Sequence, residues 1–173
     1  MTDNPNPHKK AGTTMMVLAW VAALGLLVMY FAQVEEAAYN PNQNPESQQT
    51  NGTNTVILQR NRYDHYVTKG SINRQSVTFL LDTGASDVVI PEHIAKGLGL
   101  RRGAPQQAYT ANGIVTVYQT RLPELTIGSI TLRDVEASIN PAMKDDDILL
   151  GMSALRDIEF TQRGEQLTLK QYR

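Results

Sequence analysis

The residue with chemistry to offer is Asp82. It stands in residues 79–91, FLLDTGASDVVIP, where Leu80 and Leu81 run straight into Asp82-Thr83-Gly84 and the apolar run Val88-Val89-Ile90 follows. A carboxylate that ends a buried strand costs free energy unless something pairs with it. Thr83 and Gly84 are small and turn-forming, so they suit a tight loop presenting that carboxylate, and Ser86 and Asp87 continue the turn. The other candidates carry less. Asp145, Asp146 and Asp147 are consecutive, so their side chains point in different directions and read as a solvated loop. The chain has 3 histidines, one of them in the N-terminal tail, and His93 reads as a surface helix residue. There is no cysteine, which excludes disulfides and thiolate metal sites. Asn51-Gly52-Thr53 matches a glycosylation sequon by pattern alone.

A carboxylate held in place needs a sheet behind it. Residues 65–72 and 76–81 flank the polar turn Asn73-Arg74-Gln75 and are expected as a hairpin that delivers Asp82 at its end. Within it Val77, Phe79 and Leu81 alternate with Thr78 and Leu80, the period of a strand. Residues 56–60 form a first strand. Pro91 suits the first turn of one short helix that ends at Gly97 or Gly99. Residues 109–118 read as a hairpin turning at Asn112-Gly113, and residues 125–132 as another turning at Gly128-Ser129. Ile148-Leu149-Leu150-Gly151 enters the core, and Ser153 is expected to cap a short helix running through Leu155. Residues 158–160 and 166–170 close the set around Arg163-Gly164. Six to eight short strands with one or two short helices make an all-β domain, a small closed or nearly closed barrel.

The N-terminal third differs. Residues 15–32 carry no charge, and 18 residues at about 1.5 Å each span about 27 Å, close to the hydrocarbon thickness of a bilayer. Trp20 and Tyr30 suit the interfaces. A cleaved signal peptide has a shorter apolar region and a small-x-small site, which Tyr30-Phe31-Ala32 does not supply. The segment is apolar on every face, unlike a surface helix of a soluble core. Residues 13–34 are therefore expected as a retained transmembrane helix. Lys9 and Lys10 precede it, and Glu35 and Glu36 follow, so residues 1–12 are placed in the cytoplasm as a tail. Residues 35–55, rich in Asn, Gln, Pro and Ser, are expected as a flexible polar linker. The folded domain, 56–173, then lies outside, in the periplasm if the membrane is a bacterial inner membrane. With a net charge of -1 there is no broad basic field, so no nucleic-acid partner is expected.

Asp82-Thr83-Gly84-Ala85-Ser86 between apolar strands, followed later by Ile148-Leu149-Leu150-Gly151 and Leu155, resembles the active-site loop and supporting segment of aspartic proteases. No second Asp-Thr-Gly or Asp-Ser-Gly occurs. The chain is therefore similar to the retroviral type, and most of all to bacterial membrane-anchored, retropepsin-like proteases. The resemblance implies a retropepsin-like barrel with a flap hairpin at Ala111, Asn112 and Gly113. It implies Asp82 as the catalytic residue, Thr83, Gly84, Ala85 and Ser86 as its loop, and residues 148–151 as support for the substrate pocket. It also implies a homodimer in which two Asp82 carboxylates share a proton and activate a water against an extended peptide or protein substrate, with no metal or organic cofactor. In one place the sequence departs from the family. An acid two residues after the loop Gly usually pairs with an Arg just after the later Gly, and here those positions hold Ser86 and Met152. Arg156 is the nearby substitute. The same barrel used as a non-catalytic peptide- or partner-binding module is the alternative.

Overall fold

The computed structural model describes residues 7–110 and 113–172, with side chains from residue 12 on. It divides into two compact units, Met1–Ala38 and Tyr39–Arg173. In the first, a single helix α1 (Pro7–Tyr39) continues into the start of the second. Its stretch Gly12–Tyr39 is long and apolar enough to cross a membrane, as a signal sequence near an N-terminus also is. Leu18, Trp20, Leu27 and Phe31 are all exposed around it, so it has no buried face.

The second unit begins with two strands that pair as a hairpin, β1 (Glu46–Thr50) and β2 (Thr53–Gln59). Next come β3 (Val67–Ile72), β4 (Gln75–Leu81), β5 (Val88–Pro91), helix α2 (Glu92–Gly97), β6 (Pro105–Thr110), β7 (Gly113–Ile127) and β8 (Ile130–Asn140). The chain ends with β9 (Asp147–Leu150), helix α3 (Met152–Leu155), β10 (Glu159–Arg163) and β11 (Gln166–Tyr172). Strands β3-β4-β9-β5-β8-β7 follow one another by hydrogen bonding, and β7 returns to β3 through Ser71↔Thr126 and Ile72↔Leu125. The ring is thus closed, which removes the free edges that an open sheet would leave. Its core is filled by Ile72, Phe79, Ile90, Leu122, Ile139, Ile148 and Leu150, each nearly or wholly buried. The all-β barrel expected from the alternating patterns is the observed architecture. A second sheet, β1-β2-β11-β10, stands beside it and buries Val56, Leu58, Leu167 and Leu169.

The linker expected at residues 35–55 is corrected by this arrangement. Helix α1 runs to Tyr39, and β1 pairs with β2 from Glu46↔Ile57 to Thr50↔Thr53. Every residue of β1 is exposed, so it shows no apolar alternation. The Asn51-Gly52 pair forms the turn, with φ of 47° and 82°, the left-handed values that Asn and Gly adopt most readily. Order upstream comes from Asn42, which is buried. Its side-chain amide donates to the Gln59 and Val67 carbonyls at 2.9 and 2.7 Å, and its oxygen accepts from the Gln59 N–H at 2.7 Å. One side chain thereby joins β2 to β3. Asn42→Ala should leave the buried Val67 carbonyl and the partly buried Gln59 backbone groups without this partner and lower stability by about 2 kcal/mol. Thermal unfolding of the full chain checks this, and an unchanged midpoint would mean that the segment is not part of the fold.

Candidate active site

Strand β4 carries the chain to Leu81, and β5 resumes it at Val88. Strand β9 lies between them in the same sheet, parallel to β4 (Leu81↔Leu150) and antiparallel to β5 (Val89↔Leu149). The Asp82 loop must therefore pass over the end of β9, and it is fastened there on both sides. The Asp82 N–H donates to the Leu150 carbonyl at 3.2 Å. The Met152 N–H donates to the Ala85 carbonyl and the Ser153 N–H to the Ser86 carbonyl, both at 2.9 Å. Inside the loop, the Gly84 N–H donates to Asp82 Oδ1 at 2.9 Å. That bond orients the carboxylate, which is half-buried.

Ser153 does not cap α3. Gly151 occupies the N-cap position, and no side chain bonds there. Instead Ser153 Oγ accepts from the Val88 N–H at 2.9 Å and donates to the Glu136 carbonyl at 2.7 Å. A buried hydroxyl can both accept and donate, and here it ties the start of β5 to β8. At Ser86 and Met152 the loop is held to the start of α3 by backbone hydrogen bonds that these two residues make themselves, Ser86 accepting from the Ser153 N–H and Met152 donating to the Ala85 carbonyl. The Arg156 guanidinium lies 4.0 Å from the Glu136 carboxylate.

A cleft of about 580 Å³ opens beside Asp82. One wall is Asp82, Gly84, Ala85, Ser86 and Asp87, and the opposite wall is Gln106, Gln107, Ala108, Tyr109 and Thr110 of β6. Val89, Val117 and Leu149 add apolar surface. Asp82, Gly84, Ala85, Ser86 and Leu149 all line this cleft, whereas Thr83 lies exposed and does not line it. Ile148, Leu150 and Gly151 are buried under the loop. Of the expected flap, Ala111 and Asn112 lie outside the described residues. Gly113 is exposed and pairs with Thr110, so it is the first residue of β7 and not the second residue of the turn. Tyr109 and Ile114, paired across this hairpin, are 82% and 60% exposed, an apolar surface left uncovered among the described residues. Asp87, the β6 wall, Ser138 and Asn140 were not singled out from sequence. In β6 half-buried Gln106 and Ala108 alternate with exposed neighbours, a pattern that the residue types Gln-Gln-Ala do not announce.

Beyond the cleft, His93 Nε2 lies 2.9 Å from Asp146 Oδ1 on the surface. The hydroxyl of Tyr39 donates to Asp147, the first residue of β9. Burial pushes the Asp147 carboxyl above its ordinary range, the Tyr39 hydrogen bond pulls it back, and Asp145 and Asp146 push it up again. A carboxyl whose folded value is raised contributes stability below its unfolded value and loses it as pH rises through the folded one. Removing the donor raises that value further. Tyr39→Phe should therefore cost about 1 kcal/mol near neutral pH and less in acid, where Asp147 is protonated. Unfolding midpoints of the variant and parent across that pH range test it; a pH-independent difference would remove Asp147 from the account.

Residues 68–157 match the family described as "gag-polyprotein putative aspartyl protease". An uncharacterized protein in the cobV 5′ region of Sinorhizobium sp. is 32% identical over 123 residues, 69% of this chain and 53% of that protein. The chain thus spans about half the length of that curated relative. The crystal structure of a retropepsin-like aspartic protease from Rickettsia conorii is similar with a TM-score of 0.56 at 24% identity, over 74% of this chain and 95% of the other. The EIAV protease complexed with the inhibitor HBY-793 has a TM-score of 0.45 at 22% identity, over 56% of this chain and 90% of the other. The fold shared with the Rickettsia structure is the retropepsin-like barrel.

Proposed function

Because the chain belongs to the gag-polyprotein aspartyl protease family, we propose that it is an aspartic endopeptidase completed by a second copy of itself. The observation that carries this reading is the Asp82 loop, fastened at both sides to residues 150–153 and forming one wall of an open cleft. The sequence holds one such loop, and the chemistry needs two facing carboxylates. Two copies related by a two-fold axis would bring one Asp82 each. Like charges held that close share a single proton and titrate as a pair. The ionised carboxylate takes a proton from a water lying between them. The protonated one polarises the scissile carbonyl, and the proton then passes to the leaving amine. The substrate lies extended against β6, with side chains alternately in the cleft and out of it. Thr83, exposed beside the cleft, is free to meet the partner copy's loop.

The apolar stretch of α1 adds a location to this proposal. Residues 13–34 would be a retained single-pass anchor, residues 1–12 a cytoplasmic tail, and the unit from Tyr39 on would stand in the periplasm of a bacterial inner membrane. Two copies tethered to one membrane meet at a raised effective concentration.

The test is digestion of a diverse peptide library by the full chain in detergent micelles, run beside Asp82→Asn. Cuts present in the parent and absent in the variant support the protease. Peptides bound by both proteins and cut by neither would instead favour a binding module on the same barrel.

A further inference from the structure

A second cavity, of about 750 Å³, adjoins the Asp82 cleft and shares Asp87 and Gln106 with it as a common wall. We propose that this cavity is an outer substrate subsite selecting an acidic side chain, with Arg101 as its specificity-determining residue. The inference rests on the protease reading above and names what that protease prefers.

Three arginines line the cavity, Arg101, Arg102 and Arg121, against two carboxylates, Asp87 and Glu136. Their partners differ. Arg121 pairs with Asp134 and lies 3.4 Å from Glu136, which also faces Arg156. The Glu136 charge is therefore answered from two sides. Arg102 pairs with Glu92, a carboxylate that Lys96 also contacts at 3.0 Å, and its guanidinium lies 4.4 Å over the Tyr118 ring. Arg102 and Arg121 are thus answered by Glu92 and Asp134, which leaves Arg101 as the lining guanidinium that can meet an acidic side chain. Arg101 is exposed and, among the described residues, has no carboxylate within ion-pair distance. Asp87 lies on the wall that the two cavities share, whereas Arg101 and Arg102 line the outer one alone.

An extended peptide leaving the Asp82 cleft along β6 puts residues i and i+2 on the same face, about 7 Å apart. Adjoining cavities on one face then receive side chains two positions apart. A Glu side chain reaching the outer cavity finds a guanidinium with donors to spare, in a groove that the peptide itself shields from water. Exposed ion pairs are weak, and this cover is what lifts the pair above that level.

Full-length protein in micelles would be given peptides identical except for Glu or Gln, placed in turn at each position on either side of the cut. The expected result is a kcat/KM ratio of Glu over Gln of about five- to tenfold at one outer position, falling toward one at high salt. Arg101→Gln should bring that ratio to about one, and Arg101→Glu should invert it, so that Gln is preferred over Glu. A flat ratio at every position, or one that Arg101→Gln leaves unchanged, overturns the subsite. Binding of the same peptides to Asp82→Asn, followed by fluorescence anisotropy, separates this inference from the one beneath it. A Glu preference in binding with no cleavage by the parent keeps the subsite and removes the protease. Cleavage without a charge preference does the reverse.

Discussion

Asp82→Asn should fold as the parent does and lose at least about a thousandfold in kcat/KM, the scale expected when the group that takes the proton is removed. The fold is spared because the loop is held by backbone hydrogen bonds, donated to the Leu150 carbonyl and received from the Met152 and Ser153 N–H groups, none of which uses the Asp82 side chain. The one bond that does use it, from the Gly84 N–H to Oδ1, can be kept by the oxygen of an asparagine amide. The amide cannot take a proton from water, and the paired titration of two carboxylates disappears with it. A more specific consequence follows if each site needs Asp82 from two copies. Mixing equal amounts of parent and variant, with time to exchange, should leave about one quarter of the pairs with both carboxylates, by random pairing in a two-fold dimer. Excess variant should therefore poison the parent. Activity that stays proportional to the amount of parent, however much variant is added, would show a site complete in one chain. Peptide hydrolysis by the mixtures reads both outcomes.

Where side-chain pattern reports burial, the sequence is readable. Val77, Phe79 and Leu81 mark β4, and Ile148 and Leu150 mark β9, because each strand puts alternate residues into the barrel. Asp82-Thr83-Gly84 between apolar strands locates the cleft for the same reason. Sheet order is less visible. Nothing local states that β9 inserts between β4 and β5, the crossing that positions the loop. Residues 39–55 are hidden for another reason. Strand β1 has no buried face, and Asn42 contributes order through hydrogen bonds that no apolar period reveals. The two Asn-Gly pairs make the contrast. Asn51-Gly52 is a hairpin turn inside what reads as linker, while Gly113 already belongs to a strand. The dipeptide signals a turn nearby, and register decides where it falls. Ser153 is legible as a polar residue at a helix start, but its partners, Val88 and Glu136, are brought to it only by the closed barrel.

Gly151→Ala should damage both the fold and the site with a single methyl. The backbone there has φ -89° and ψ -172°, open to any residue, so no conformational penalty applies. The penalty is steric. A Cβ would stand 2.1 Å from the Asp87 carbonyl oxygen and 2.6 Å from that of Ala85. Both are backbone atoms of the Asp82 loop, and no rotamer change moves them. The Ala85 oxygen is also the acceptor for the Met152 N–H, so separation breaks a bond that fastens the loop. Either α3 or the loop must shift by about an ångström, and overpacking against fixed backbone at a buried position costs about 3 kcal/mol or more. Whatever fraction folds will present Asp82 displaced from its place in the cleft, and if Asp82 carries the chemistry proposed for it, misplacement on that scale costs about a hundredfold in rate. Gly97→Ala in α2 is the control. A Cβ there meets nothing within 4 Å, and the helix should accept it without loss. Unfolding midpoints and peptide cleavage measured together decide the matter. If Gly151→Ala unfolds and cleaves as the parent does, the crossing of β9 beneath the loop is not what holds Asp82 in place.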